Sequence, residues 1–138
     1  MTDQLTLNVP GKAEYVGTVR IAVAHIASRA GFDIEAIDDI KVAVSEACTN
    51  IILHAHENTA YNYDVQVELD EKDLTITVED GGAGFGVEDY VPPIPGESRG
   101  SGLGIFIIKA LMDEVDICSE PGAGTRIRMS KGLKSLSG

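Results

Sequence analysis

Asp39 to Glu57 reads DIKVAVSEACTNIILHAHE, and the spacing of its apolar residues decides the fold. At about 100° per residue, Ile37, Ile40, Val44, Cys48, Ile51 and Ala55 share one face of a helix, and Asp39, Glu46, Asn50 and Glu57 gather roughly opposite. One face is core. The other sets a carboxylate above a carboxamide, one turn apart, and faces either water or a ligand.

Upstream, Asp33 is placed to cap this helix, with Ala36 standing where a Glu or Gln would complete a capping box. The helix then runs to about Glu57. Before it, Ala13 to Ala30 carries Val16, Val19, Val23, Ile26 and Ala30 on one face, and Gly31 stops it. The opposite face holds Ile21 among Glu14, Gly17, His25 and Ser28, with Arg20 at the seam, a candidate partner surface. Leu5, Leu7 and Val9 alternate as a half-buried strand that ends at Pro10-Gly11.

Downstream, Val65, Val67 and Leu69 form a strand, Glu71-Lys72-Asp73 a hairpin turn, and Leu74, Ile76 and Val78 the next strand. Asp80 has the parity of those last apolar residues, so its carboxylate points to the core side at the strand's end. A carboxylate aimed inward needs a partner. A glycine- and proline-rich stretch follows, with a lid expected at about 85–101, because loops longer than about 12–15 residues in compact domains are usually functional or disordered. Gly100, Gly102 and Gly104 lead into LGIFIIKALMD, apolar nearly all round and therefore expected to be buried on both sides. Val115 and Ile117 mark a strand, Glu120 to Gly124 a turn, and Thr125, Ile127 and Met129 one face of a final strand. The order β-α-α-β-β-lid-α-β-β predicts an α+β fold. It is a single-domain, two-layer sandwich with three helices on one face of a mixed, largely antiparallel sheet.

The chain has 138 residues and a formal net charge of −11, which argues against a nucleic-acid surface and is compatible with a basic protein partner. Its N-terminal stretch has neither a basic n-region nor an apolar h-region, and no apolar run reaches membrane-spanning length, so a cytoplasmic protein is expected. Cys48 and Cys118 suit two buried free thiols better than a metal or redox site.

Two glycine clusters invite the common nucleotide signatures, and both fail them. Gly82-Ala-Gly84-Phe-Gly86 follows a strand but opens no helix; Gly100-Ser-Gly102-Leu-Gly104 opens a helix but follows a loop; no GxxxxGK[ST] phosphate loop is present. A different constellation remains. Asp80 can accept a hydrogen bond from an exocyclic amine, Gly82 and Gly84 admit a flat ring close to the backbone, and Thr125 closes a purine pocket. Gly100, Gly102, Leu103 and Gly104 offer amides at a helix N-terminus, where phosphate is favoured. Asn50 offers an oxygen to a divalent cation, and Glu46, one turn earlier, a general base.

SEACTN at Ser45–Asn50, DGGAG at Asp80–Gly84 and GSGLG at Gly100–Gly104 resemble the three nucleotide boxes of the GHKL superfamily of ATPases and kinases. Glu14–Phe32, Ile37–His56 and Ala110–Val115 resemble, more narrowly, the bacterial anti-sigma-B serine-protein kinases, and the likeness covers nearly the whole chain. The resemblance implies a homodimeric anti-sigma factor that sequesters a sigma factor and uses Mg-ATP to phosphorylate a serine of an anti-anti-sigma protein. It implies Glu46 as catalytic base, Asn50 as magnesium ligand, Asp80 as adenine reader, Gly82 and Gly84 as the ring-side wall, and Gly102 and Gly104 as phosphate amides. It also sets Arg20, and with it the Ile21 face, near the partner surface. Arg99, just before the last box, is placed by charge and position to meet the terminal phosphate. His54, beyond Asn50 in the helix register, has no catalytic role assigned. Two rivals share these boxes: a switch kinase that binds no sigma factor, and a module that sequesters a partner and keeps the nucleotide as a structural ligand.

Overall fold

The computed structural model describes residues 2–54, 62–80, 101–120 and 124–133. Strand β1 (Asp3–Pro10) leads through a short 3-10 turn at Ala13–Tyr15 into α1 (Val16–Ala30), then α2 (Ile34–His54). Strands β2 (Asn62–Leu69) and β3 (Asp73–Asp80) follow, then α3 (Ser101–Leu111), β4 (Glu114–Glu120) and β5 (Gly124–Gly132). The expected lid, and the end of the second helix beyond His54, lie outside the described residues.

The junction between α1 and α2 is built from local signals. Gly31 has φ +108°, a left-handed conformation that a Cβ disfavours, and its N–H bonds back to the carbonyls of Ala27 and Ser28. Phe32 adds a bond from its N–H to the Ala27 carbonyl at 3.2 Å and buries its ring. Asp33 Oδ1 then accepts the Ala36 N–H at 2.8 Å and starts α2. At the β2–β3 turn, Asp70 Oδ1 accepts the N–H groups of Lys72 and Asp73 at 2.7 Å each, which holds its carboxyl below the ordinary range.

All five strands form one sheet in the order β1-β2-β3-β5-β4. Every neighbouring pair is antiparallel, so among the described residues the mixed, largely antiparallel sheet of the sequence reading has no parallel pair. Strands β3 and β4 do run in the same direction, but β5 lies between them. Val65, Val78 and Ile127 sit side by side across β2, β3 and β5, and all three are fully buried. The helices cover this face, with α2 between α1 and α3. Ile40, Val44, Cys48 and Ile51 of α2 are buried as the helical spacing predicts, and Val19, Val23 and Ala27 anchor α1.

Two expectations fail, both for reasons of position. Helix α3 is not buried on both sides: Ile108 and Met112 are inside, but Leu103 is 60% and Phe106 68% exposed. The helix flanks α2 and turns Gly104, Ile105 and Ile108 inward, with Met112 just past its end. Apolar composition reports a helix's tolerance for burial, not which of its sides finds a neighbour. Cys118 is exposed rather than buried, because Val115 and Ile117 take the inward parity of β4 and leave Cys118 on the open face of the sheet.

Cys48 is buried as expected, and burial pushes its thiol up to about 11, with the adjacent Tyr63 side chain pulling more weakly the other way. Native protein at pH 8 is therefore expected to give one thiol, Cys118, to a disulfide-exchange reagent, and two after denaturation. Because the folded thiol stays protonated while the unfolded one ionises near pH ~8.5, stability falls as pH rises from there towards about 11. Urea midpoints at pH 8 and pH 10, compared with those of Cys48→Ala, measure this, and an equal fall in both proteins would refute it.

Candidate active site

Three elements converge at the end of the sheet where β3 stops. In the register, Val9 lies opposite Tyr63 and Tyr63 opposite Asp80. The pairing of Glu79 with Arg126, carried one residue further, sets Thr125 beside Asp80 on the other flank. Asp80 and Thr125 are only 4% and 3% exposed, so both have the inward orientation that strand parity predicts. A carboxylate and a hydroxyl thus share the floor of the sheet's end.

Helix α2 passes over this row. Cys48 contacts Tyr63, which neighbours Asp80, so the C-terminal half of α2 overlies the strand end that carries the carboxylate. Asn50, two residues on, is 6% exposed although it belongs to the polar stripe. Over Asp39, Glu46 and Asn50 the stripe is therefore not a fully solvated face. Ala43 and Ala47, fully buried on the same side, are small enough for α3 to pack closely there. Asp39, at the other end of the stripe, lies 4.0 Å from Lys131 and far from Asn50 along the helix.

Helix α3 supplies the third wall. Lys131 Nζ also donates to the carbonyl of Leu111 at 2.7 Å, so the C-terminal end of α3 lies near Asp39 and its N-terminal end near Glu46 and Asn50. The two helices run antiparallel. A Cβ placed on Gly104 would lie 2.9 Å from Glu46 Oε1, so the half-buried Glu46 carboxylate rests against the first turn of α3. The opening amides of a helix have no partner within the helix itself, and they and the positive end of the helix dipole favour an anion such as phosphate.

Glu46, Asn50, Asp80, Gly104 and Thr125 are thus brought to one end of the molecule. Gly102 and Leu103 belong to the same opening turn of α3, and the side chain of Leu103 points outward. Gly82, Gly84, Arg99 and Gly100 lie outside the described residues, and His54 is the last described residue of α2. Ile21 is 69% exposed on α1, as its position predicts. Arg20 is less free than a surface residue: its Nη1 donates to Ser45 Oγ at 3.2 Å, and Ser45 donates to the Lys41 carbonyl. The sequence reading missed this link, and also the backing of Asp80 by Tyr63 and Cys48. The alternation of β2 carried the signal for Tyr63, which has the parity of Val65 and Val67.

Among the described residues no three His, Cys, Asp or Glu side chains gather to hold a metal ion, and no helix is long and apolar enough to cross a membrane.

The family model for the histidine kinase-like ATPase domain matches residues 9–131. A serine-protein kinase RsbW of Oceanobacillus iheyensis is 39% identical over 138 residues, covering 94% of this chain and 86% of its own. The RsbW of Listeria monocytogenes is 41% identical over 132 residues, with 88% and 83% coverage. That of Bacillus cereus is 35% identical over 129 residues, with 87% and 80% coverage. In structure, the chain resembles the RsbU and RsbW domains of Rv1364c from Mycobacterium tuberculosis, with a TM-score of 0.68 and 20% identity. The match covers 94% of this chain and 31% of that one, and it bears on the fold alone.

Proposed function

This chain belongs to the histidine kinase-like ATPase domain family and, within it, to the RsbW serine-protein kinases, and from that membership we propose how it works. It uses Mg-ATP to phosphorylate a serine of an anti-anti-sigma protein, and it sequesters a sigma-B-like sigma factor when that antagonist is phosphorylated. The observation that carries the reading is the Glu46 carboxylate resting against the first turn of α3, where a base and a phosphate-binding helix end meet.

The described residues fit a nucleotide. Asp80, inward and almost fully buried, accepts the exocyclic amine of adenine, and Thr125 beside it closes the pocket. The amides of Gly102, Leu103 and Gly104 face the phosphates. Asn50, almost fully buried on α2, would offer one oxygen to a magnesium ion, which would neutralise the charge of the phosphates. Bound Mg-ATP supplies the transferable phosphoryl group and the cation that neutralises its charge. Glu46 orients the incoming serine hydroxyl and takes its proton, and Asn50, one turn on, fixes the geometry from the same rigid helix. Gly82, Gly84, Arg99 and Gly100 complete the adenine wall and phosphate cradle in this reading, and Arg20 and Ile21 form part of the partner surface.

The protein acts as a homodimer. In support, β1 is an edge strand of the sheet, and Leu5, 45% exposed, lines a groove with Ile26, Val67 and Leu69. Light scattering is expected to give twice the monomer mass, and a monomer at micromolar concentration would refute the dimer.

The decisive mixture contains the protein, Mg-ATP, a candidate antagonist and a candidate sigma factor, and is followed for serine phosphorylation and for exchange of the complex. Transfer together with sigma release by unphosphorylated antagonist is expected. Transfer without sigma binding would identify a switch kinase, and sigma binding without transfer a sequestering module.

A further inference from the structure

A glycine can be needed for its backbone angles, for close approach of another backbone, or for space used by a side chain. Gly31 is the first case, with φ +108°. Gly104 is not, because among the described residues only Gly31 and Gly124 have positive φ. Nor is it the second. Among the described residues outside its own stretch of α3, the three heavy atoms nearest to a Cβ built on Gly104 all belong to the Glu46 side chain: Oε1 at 2.9 Å, Cβ at 3.8 Å and Cδ at 3.9 Å. What the missing side chain leaves open is the resting place of one carboxylate.

We infer that Gly104 is a positioning residue for Glu46: by lacking a side chain it lets the carboxylate lie against the first turn of α3, where the hydroxyl to be phosphorylated must arrive. This role is separate from that of the Gly104 amide, which an alanine keeps. The inference rests on Glu46 being the base proposed above.

Gly104→Ala distinguishes the two roles. The atom in the way is the end of a flexible side chain, so Glu46 changes rotamer and the fold stays as it is. Alanine is also the better helix former, so the melting temperature should not fall. The displaced carboxylate, however, misses its target, and misplacement by about 1 Å costs on the order of 10²-fold.

The test measures serine phosphotransfer and nucleotide affinity in Gly104→Ala, Glu46→Asp, Glu46→Gln and the two double variants. Gly104→Ala is expected to lower kcat by about 10²-fold with KM for ATP unchanged. Placed in Glu46→Gln, it should cause no further loss, and in Glu46→Asp, whose arm is one methylene shorter, a smaller loss than in wild type. A loss of ATP affinity that is the same in every background would overturn the inference and give the glycine to the phosphates. A wild-type rate in Gly104→Ala would overturn it as well, as would an equal further loss in Glu46→Gln. Wild-type transfer by Glu46→Gln itself is a different failure, because it removes the base and not the positioning.

Discussion

Glu46→Gln is expected to lower serine phosphotransfer by about 10²–10⁴-fold, the usual contribution of a general base, while leaving nucleotide affinity near that of wild type. Glutamine keeps the length and volume of glutamate, so the contact with the first turn of α3 survives. It cannot take up a proton, however, so the serine hydroxyl loses its proposed acceptor. Glu46 is half-buried in the middle of α2, away from both helix ends, and the substitution removes neither a cap nor a core residue. Single-turnover transfer from labelled ATP, alongside equilibrium binding of a nucleotide analogue, separates the two effects. Transfer at the wild-type rate would end Glu46's claim to be the base, whatever the binding shows.

Asp80→Asn is expected to do the reverse and act on binding first. A hydrogen bond to a charged group contributes about 1.5–3 kcal/mol, so affinity for ATP should fall about 10- to 100-fold. The loss should be specific to the base. Asparagine retains the shape that packs between Tyr63 and Thr125, and the amides of α3 are untouched, so binding of inorganic triphosphate should not change. Preference for ATP over GTP should narrow in the variant, because the carboxylate proposed to read the exocyclic amine is gone. Calorimetric titration with ATP, GTP and triphosphate tests this. An equal loss for ATP and triphosphate would show that Asp80 supports the pocket as a whole and does not read adenine.

Much of this was legible in the sequence because single-element periodicity carries it. Ile40, Val44, Cys48 and Ile51 follow the helical repeat, and Asp80 and Thr125 follow the alternation of strands, so their inward orientation needs no knowledge of neighbours. What was not legible depends on neighbours. The exposure of Leu103 and Phe106 follows from α3 flanking α2 at the side of the layer, which no property of the α3 sequence states. The exposure of Cys118 was within reach, since Ile117 beside it fixes the parity of β4. The contact of Gly104 with Glu46 joins residues far apart in the chain, and a glycine in a nucleotide box is read first as a phosphate amide. The bond from Arg20 to Ser45 is likewise a meeting of two helices.

The place of β5 between β3 and β4 bears on the order in which a growing chain can finish itself. When α3 and β4 have been synthesised, β4 still has no strand to pair with, and β3 keeps one side open with Ile76 and Val78 at it. Thr125, beside Asp80 in the finished sheet, has not yet been made. Long-range pairing of this kind is slow to form and leaves strand edges exposed until it does. The proposed nucleotide site is therefore among the last parts of the molecule to exist, and until β5 docks, the nascent chain has the helix that carries Glu46 without Thr125 beside Asp80.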